Sequence, residues 1–192
     1  MEKIIGALTF RAGVYKEVED DASFTPTAWM IVVAAAFLNA LGTSAVVART
    51  DNVLTWILST IGATIFAVLG FGLACFVVDW VGRTFFQAQV TFEEVVRTLG
   101  LAYVWNALGL LGIFAAISPV LGCTTGIFRV AAVIAGFIAW LIAAKEALDL
   151  EWPQTIGTVI IGWVIIAIVS SIAGLILGAL GLAGTALTGV FR

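Results

Sequence analysis

The chain has 192 residues, of which 62% are hydrophobic and 11% charged, with a formal net charge of −3. A soluble domain carries about 25% charged residues, so a soluble globular fold is excluded, and the small, scattered net charge gives no footing for a nucleic-acid partner. Uncharged runs dominate: 26 residues from Val53 to Val78, 31 from Thr98 to Phe128, 15 from Val130 to Ala144 and 40 from Trp152 to Phe191. A spanning helix needs about 20 apolar residues at about 1.5 Å rise each. The short alternating segments of an outer-membrane barrel do not occur in the sequence. The fold class is all-α: a polytopic membrane bundle of five transmembrane helices with an amphipathic N-terminal segment.

Residues 1–27 form that segment, placed in the cytoplasm. It does not read as a secretory signal, because Glu2 stands beside Lys3 and no apolar core precedes Arg11, Lys16 and the acidic Glu17–Asp21. At 100° per residue Ile4, Ile5, Ala7, Leu8, Phe10, Val14, Tyr15 and Val18 share one broad arc. Arg11 interrupts the arc and Gly13 weakens a helix by about 1 kcal/mol. Two short helices meeting near Ala12-Gly13 therefore fit better than one. They read either as a membrane-surface or partner-binding element or as a lid packed on the end of the bundle.

The transmembrane domain covers residues 28–180. Span 1 runs over about 29–47, with Asn39 and Thr43-Ser44 as its polar members. A short turn with Arg49 and Asp51 leads to span 2, over about 53–78. Gly62, Gly70 and Gly72 in that span mark places of close helix approach. Asp79 to Arg97 is a polar region. Within it Thr91 and Glu94 have the spacing of a capping box, and Glu93 stands at i,i+4 from Arg97 in the favourable order. Span 3 covers about 98–118, and Pro119 and Gly122 give a tight turn. Span 4 covers about 125–145, with Arg129 one turn inside it and snorkelling to the far surface. A charged island, Lys145 to Glu151, closes span 4. Span 5 starts at Pro153, a good first helical residue, and runs to about 178. Residues 181–192 form an apolar, Gly-rich tail. Gly174 and Gly178 match GxxxG, which reads either as a contact face or as a chance match in a glycine-rich chain.

Five spans put the chain ends on opposite sides. Lys3, Arg11, Lys16, Arg83, Arg97 and Lys145 fall on the N-terminal side, and Arg49, Arg129 and Arg192 on the other. The positive-inside rule then places the N terminus in the cytoplasm and the C terminus outside; the location expected is a prokaryotic inner membrane. Cys75 and Cys123 fall near opposite faces, about 30 Å apart, beyond disulfide reach.

Chemistry is sparse. With no histidine in the chain and the two cysteines apart, neither zinc, nor histidine-ligated haem, nor a Ser-His pair is available. A divalent cation held by Glu93, Glu94, Asp149 and Glu151 competes with the plainer reading of a solvated charged face. Lys145 is about 27 Å along span 5 from Ser170-Ser171, too far for a Ser-Lys dyad. The chain therefore reads as no enzyme, with no cofactor and no metal. Two groups of polar residues stand out instead. Asp79, Arg83, Glu93, Glu94, Arg97, Lys145, Glu146 and Asp149 form a candidate cytoplasmic polar lock or docking surface, in which Glu146 or Asp149 reaches Arg97 or Arg83, and Lys145 pairs with Asp149 at i,i+4. Asn39 and Asn106 fall at matching depths, about 14 Å in, as a candidate intramembrane pair. That pair reads as a specificity device or as part of a substrate site. Trp105, Trp140 and Trp163 lie nearer the charged face and read as bundle packing or as an aromatic pocket.

Three stretches, IIGALTFRAGVYKEVEDD (4–21), TFEEVVRTLGLAYV (91–104) and AAKEALDL (143–150), together with the five-span layout, resemble the Yip1 domain family in its prokaryotic form. The resemblance covers nearly the whole chain. It implies a cytoplasmic N terminus and a compact five-helix domain without catalysis. The Asp-Leu-Tyr-Gly-Pro type of signature and the long N-terminal region of eukaryotic members are missing, so their vesicle and GTPase roles do not carry over. The functional expectation is a membrane scaffold or an accessory subunit of a membrane complex. Its partners are the lipid bilayer and either a second membrane protein or a second copy of the chain. The alternative is a small transporter or channel with a cavity near the cytoplasmic face.

Overall fold

The computed structural model describes residues 2–45 and 53–180. The last residues expected in span 1, the turn with Arg49 and Asp51, and the tail 181–192 lie outside the described residues. Helices α1 (Glu2–Leu8) and α2 (Ala12–Asp20) open the chain, and a 3-10 turn at Ala22–Phe24 leads into α3 (Thr25–Thr43). Then follow α4 (Val53–Phe86), α5 (Phe92–Ala102), a 3-10 segment (Tyr103–Gly112), α6 (Ile113–Ile117), α7 (Pro119–Leu148) and α8 (Trp152–Ala179). Five stretches are long and apolar enough to cross a bilayer: Ala22–Thr43, Val53–Phe86, Phe92–Ile117, Pro119–Leu148 and Trp152–Ala179.

Local chemistry explains most of the boundaries. Thr91 accepts from the Glu94 backbone N–H at 3.4 Å and the Glu94 carboxylate accepts from the Thr91 N–H at 2.7 Å, completing the expected capping box. A second box joins Glu151 and Gln154 at the start of α8. Pro26, Pro119 and Pro153 sit in first turns, where a missing N–H costs nothing. Asp149 ends α7 in the left-handed region at φ 49°, a conformation that Asp tolerates because its short side chain bonds locally.

Three expectations need correction. Span 2 does not stop at residue 78: α4 runs on to Phe86, so Asp79 and Arg83 lie within a helix rather than in a polar loop. Their i,i+4 ion pair lets the helix continue past the first charge. The turn expected at Pro119 and Gly122 shrinks to Ser118, extended at φ −153° and ψ 138°, and α7 begins at Pro119. Span 3 is not one α-helix. It passes from α through ten residues of 3-10 winding and back to α.

In space the order of neighbours is α8, α4, α3, the 92–117 segment and α7, with α8 touching α7 over a shorter stretch. Only 17% of the most apolar window of α8 is buried, against 28–33% in the other four spans, so α8 is the peripheral helix. Ile160, Val164, Ile168 and Ile172 make an exposed stripe along it, and Ile57, Ile61, Ile65, Leu69 and Leu73 another along α4. Such stripes would be liabilities in water and are the ordinary lipid-facing surface of a membrane bundle. With five such spans and these outer faces, the chain is an integral membrane protein.

The N-terminal helices form a lid. Ala7, Val14, Tyr15 and Val18 are buried against α5 and α7. The two short helices meet at Phe10, in the left-handed region at φ 57°, whose ring stacks on Trp105 at 5.4 Å. Asp21 caps the turn into α3. Its carboxylate accepts from the Ser23 hydroxyl and N–H and from Lys3 Nζ at 2.9 Å. These bonds, the Ser23 hydroxyl first, hold its pKa below the ordinary value of 3.8. Glu19 is shifted the other way: burial raises its pKa above 4.5 and outweighs the hydrogen bond from Lys16. Asp21 therefore lends the lid stability at neutral pH and loses it as pH falls through its lowered pKa. Glu19 favours the lid in its protonated form and withdraws that support as pH rises through its raised pKa. Carboxyl carbon titration by NMR in micelles is expected to show a Glu19 midpoint above 4.5 and an Asp21 midpoint below 3.8. An Asp21 midpoint at or above 3.8 would mean that the turn is not capped in this way.

Candidate functional site

The eight residues read as a charged lock do not converge on one surface. Arg97, only 4% exposed, turns toward the lid. Its Nε donates to the carbonyls of Val18 at 3.0 Å and Glu19 at 3.1 Å, its Nη2 also donates to Glu19 O, and its Nη1 donates to Thr25 Oγ1 at 3.3 Å. The guanidinium thus satisfies the end carbonyls of α2, where the helix dipole is negative. Glu94 lies 4.0 Å away, so the partner on its own helix is at i−3, not Glu93 at i−4. The expected reach of Glu146 or Asp149 to Arg97 or Arg83 does not occur. Asp149 instead takes Lys16 of α2 at 3.6 Å, and Lys145 lies over the Trp152 ring at 5.6 Å rather than pairing with Asp149. Among the described residues Asp79 and Arg83 form ion pairs only with each other, and Glu93 and Glu146 form none. In place of the expected lock there is a staple between lid and bundle, built from Arg97 and Lys16. No group of three metal-ligating side chains comes together among the described residues.

The second group lies deeper. Asn39 and Asn106 are not bonded to each other: Asn106 Nδ2 donates to Tyr103 O at 3.4 Å. Both line a cavity of about 440 Å³, with Trp105, Gly109, Gly126 and Arg129. Because α7 starts at Pro119, Arg129 is not one turn inside the helix but ten residues in, about 15 Å along its axis. No carboxylate among the described residues forms an ion pair with it. A smaller hollow of about 140 Å³ adjoins, sharing Asn106 and Val133 and lined by Tyr103, Trp140 and Trp163. The indole N–H groups of Trp105 and Trp163 are buried without a partner.

The 3-10 winding builds one wall of this site. At three residues per turn, positions i and i+3 eclipse. Tyr103, Asn106, Gly109 and Gly112 therefore stand in one straight row, where α-helical winding would spread them around the axis. The row faces α3. A Cβ on Gly109 would run into Asn39, and one on Gly112 would lie 2.6 Å from Gly42 O and 3.3 Å from Arg129 Nη1. Asn39 and the Arg129 guanidinium thus flank successive glycines of one row, about 6 Å apart along it. Leu108 and Phe114, off this row, are exposed on the outside.

Toward the charged end the hollows stop at a layer of aromatic rings. Phe71 makes edge contacts with Trp29 at 5.7 Å, Tyr103 at 5.1 Å and Trp140 at 6.0 Å, and Trp163 packs on Phe137 at 5.0 Å and Trp140 at 6.3 Å. Of the three tryptophans singled out in the sequence, Trp140 and Trp163 line the smaller hollow and pack in this layer, while Trp105 lines the larger cavity and stacks on Phe10. Gly174, by contrast, has no atom of the described residues within 4 Å of an added Cβ; it lines a separate hollow of about 260 Å³ with Asn39 and Phe66, so the GxxxG match makes no close helix contact there.

Sequence periodicity misses the depth of Arg129, though a signal is present: it is the sole charge between Thr98 and Ala144. Taking Pro119 as a first helical residue would set that depth. The fold and this hollow define a polytopic helical membrane protein with a half-open, largely apolar hollow that carries Asn39, Asn106 and Arg129. Compared with protein-family models, curated proteins and solved structures, the chain matches none.

Proposed function

We propose that the chain is a non-enzymatic membrane protein of the Yip1 type that binds a ligand within its bundle, in the manner of a small carrier. The observation that carries this reading is the 440 Å³ cavity that brings Asn39, Asn106 and Arg129 together. Intramembrane polar groups are costly and mark binding or conduction sites by default, and a space of this size falls within the range of ligand pockets. The absence of histidine from the sequence and the lack of a nucleophile–base pair in the cavity lining support a role without catalysis. The Yip1 likeness rests on the three stretches of sequence, 4–21, 91–104 and 143–150, and on the five-span layout. An N terminus in the cytoplasm of a prokaryotic cell follows from the basic residues at that end.

The scaffold or accessory-subunit reading keeps one observation of its own, the exposed apolar stripe along the peripheral helix α8. It and the carrier reading part at the cavity. In a Cys123→Ser background, Gly126→Cys places a thiol in the cavity and Ile127→Cys places one at similar depth on the exposed face. A charged methanethiosulfonate reacts with thiolate, which does not form in hydrocarbon. Gly126→Cys is expected to label at least ten-fold faster. Equal rates would mean a dry interior and leave the scaffold role.

A further inference from the structure

We propose that the hollow beside Arg129 is a binding site for a singly charged oxyanion of the phosphodiester class, an inference that rests on the cavity reading above. Three observations carry it. The first is charge. Arg129 lines the cavity from ten residues inside α7, and no carboxylate among the described residues pairs with it. A guanidinium beside a largely apolar hollow favours a counter-charge, and its planar fork matches an oxyanion with two parallel N–H donors.

The second is donor chemistry. The other polar groups of the lining are the carboxamides of Asn39 and Asn106, which can each offer N–H, and the indole of Trp105, whose N–H is a donor only. No acidic side chain among the described residues lines the cavity. Asn39 and Arg129 lie beside successive glycines of the 3-10 row, about 6 Å apart along it, with Asn106 one turn beyond. Gly109 and Gly112 let α3 come close, so that Asn39 sits against this row. The lining thus offers one cation and several neutral donors, a set poorly suited to a cation.

The third is access. Val130 and Val133, in the same lining, are 61% and 58% exposed on the outside of α7. The cavity therefore opens sideways toward the surface that lipid covers, while Tyr103, Trp140 and Trp163 line the hollow that adjoins it. The oxyanion that a bilayer itself supplies is the phosphodiester of a lipid headgroup. Free phosphate has the same chemistry and could enter from the aqueous side.

The Gly126→Cys protein in the Cys123→Ser background tests this by protection from labelling. An oxyanion seated beside Arg129 is expected to slow the reaction at least five-fold. Protection by phosphatidylglycerol added to the micelles, and not by inorganic phosphate, identifies the lipid source. The converse identifies the soluble one. Either result supports the oxyanion site, provided that Arg129→Gln removes the protection and Arg129→Lys keeps part of it. Labelling that neither phosphatidylglycerol nor phosphate slows overturns the oxyanion inference and leaves the cavity standing. No labelling at all overturns the cavity reading itself. Native mass spectrometry of the wild-type protein checks the lipid arm without a substitution. Where lipid is the source, phosphatidylglycerol is retained at least ten-fold more than phosphatidylcholine, and equal retention of the two excludes that source.

Discussion

Arg97→Ala is expected to release the N-terminal lid from the bundle. The Arg97 side chain donates to Val18 O, Glu19 O and Thr25 Oγ1 from a site only 4% exposed. Hydrogen bonds from a charged donor contribute about 1.5–3 kcal/mol each. The carbonyls regain water when the lid lifts, so the net cost is smaller than the sum, about 3 kcal/mol. At 1.4 kcal/mol per factor of ten, that is roughly a hundredfold in the open population. Hydrogen–deuterium exchange at Val14–Val18 reads it directly, because Val14, Tyr15 and Val18 are buried only while the lid is docked. Arg97→Lys is expected to recover less than half of the loss, since one ammonium cannot address two adjacent carbonyls and a hydroxyl as a fork does. A rise in exchange below ten-fold for Arg97→Ala would show that the apolar contacts of Tyr15 and Val18 hold the lid alone.

Gly42→Ala is expected to force α3 away from the 3-10 segment. A Cβ at Gly42 would lie 2.8 Å from both the Gly109 carbonyl carbon and Leu110 Cα, besides overlapping Gly109 O. All are backbone atoms, so no side chain can rotate out of the way. Overpacking of this kind costs about 1–3 kcal/mol, and backbone obstacles place it at the upper end, about 3 kcal/mol. Reversible unfolding in mixed micelles measures the loss. Gly157→Ala and Gly174→Ala are the controls: neither meets an atom within 4 Å, and alanine is the better helix former by about 1 kcal/mol. Both should leave stability unchanged or raised. A Gly42→Ala protein as stable as these controls would mean that α3 and the 3-10 segment do not touch backbone to backbone.

What the sequence makes legible is local. The capping box at Thr91 and Glu94, the break between α1 and α2, and the starts at Pro26 and Pro153 each depend on residues within a few positions of one another. The long uncharged runs likewise announce five spans without reference to anything else in the chain. The staple is legible only in part. Arg97 is identifiable as unusual, but its partners are main-chain carbonyls some 78 positions earlier, and carbonyls carry no residue identity to read. The polar cavity is hidden for a different reason. Depth alone pairs Asn39 with Asn106, but their common wall follows a period of three, whereas helical reading assumes 3.6. Arg129 stands out as a lone charge, yet reading Pro119 as part of a turn puts it too close to the surface, when that proline begins a helix.

The 3-10 segment also changes how far the third crossing reaches. Ten residues at about 2.0 Å advance about 20 Å, where α-helical winding would give about 15 Å. Tyr103–Gly112 alone therefore traverses about two-thirds of a hydrocarbon core of about 30 Å. Less of the 92–117 stretch is then needed to cross the bilayer, and α5 is left free at the aqueous end. That is where Arg97 and Glu94 work. A single unbroken stretch thus serves two solvents, its stretched half as a membrane crossing and its compact half as the footing on which the lid stands.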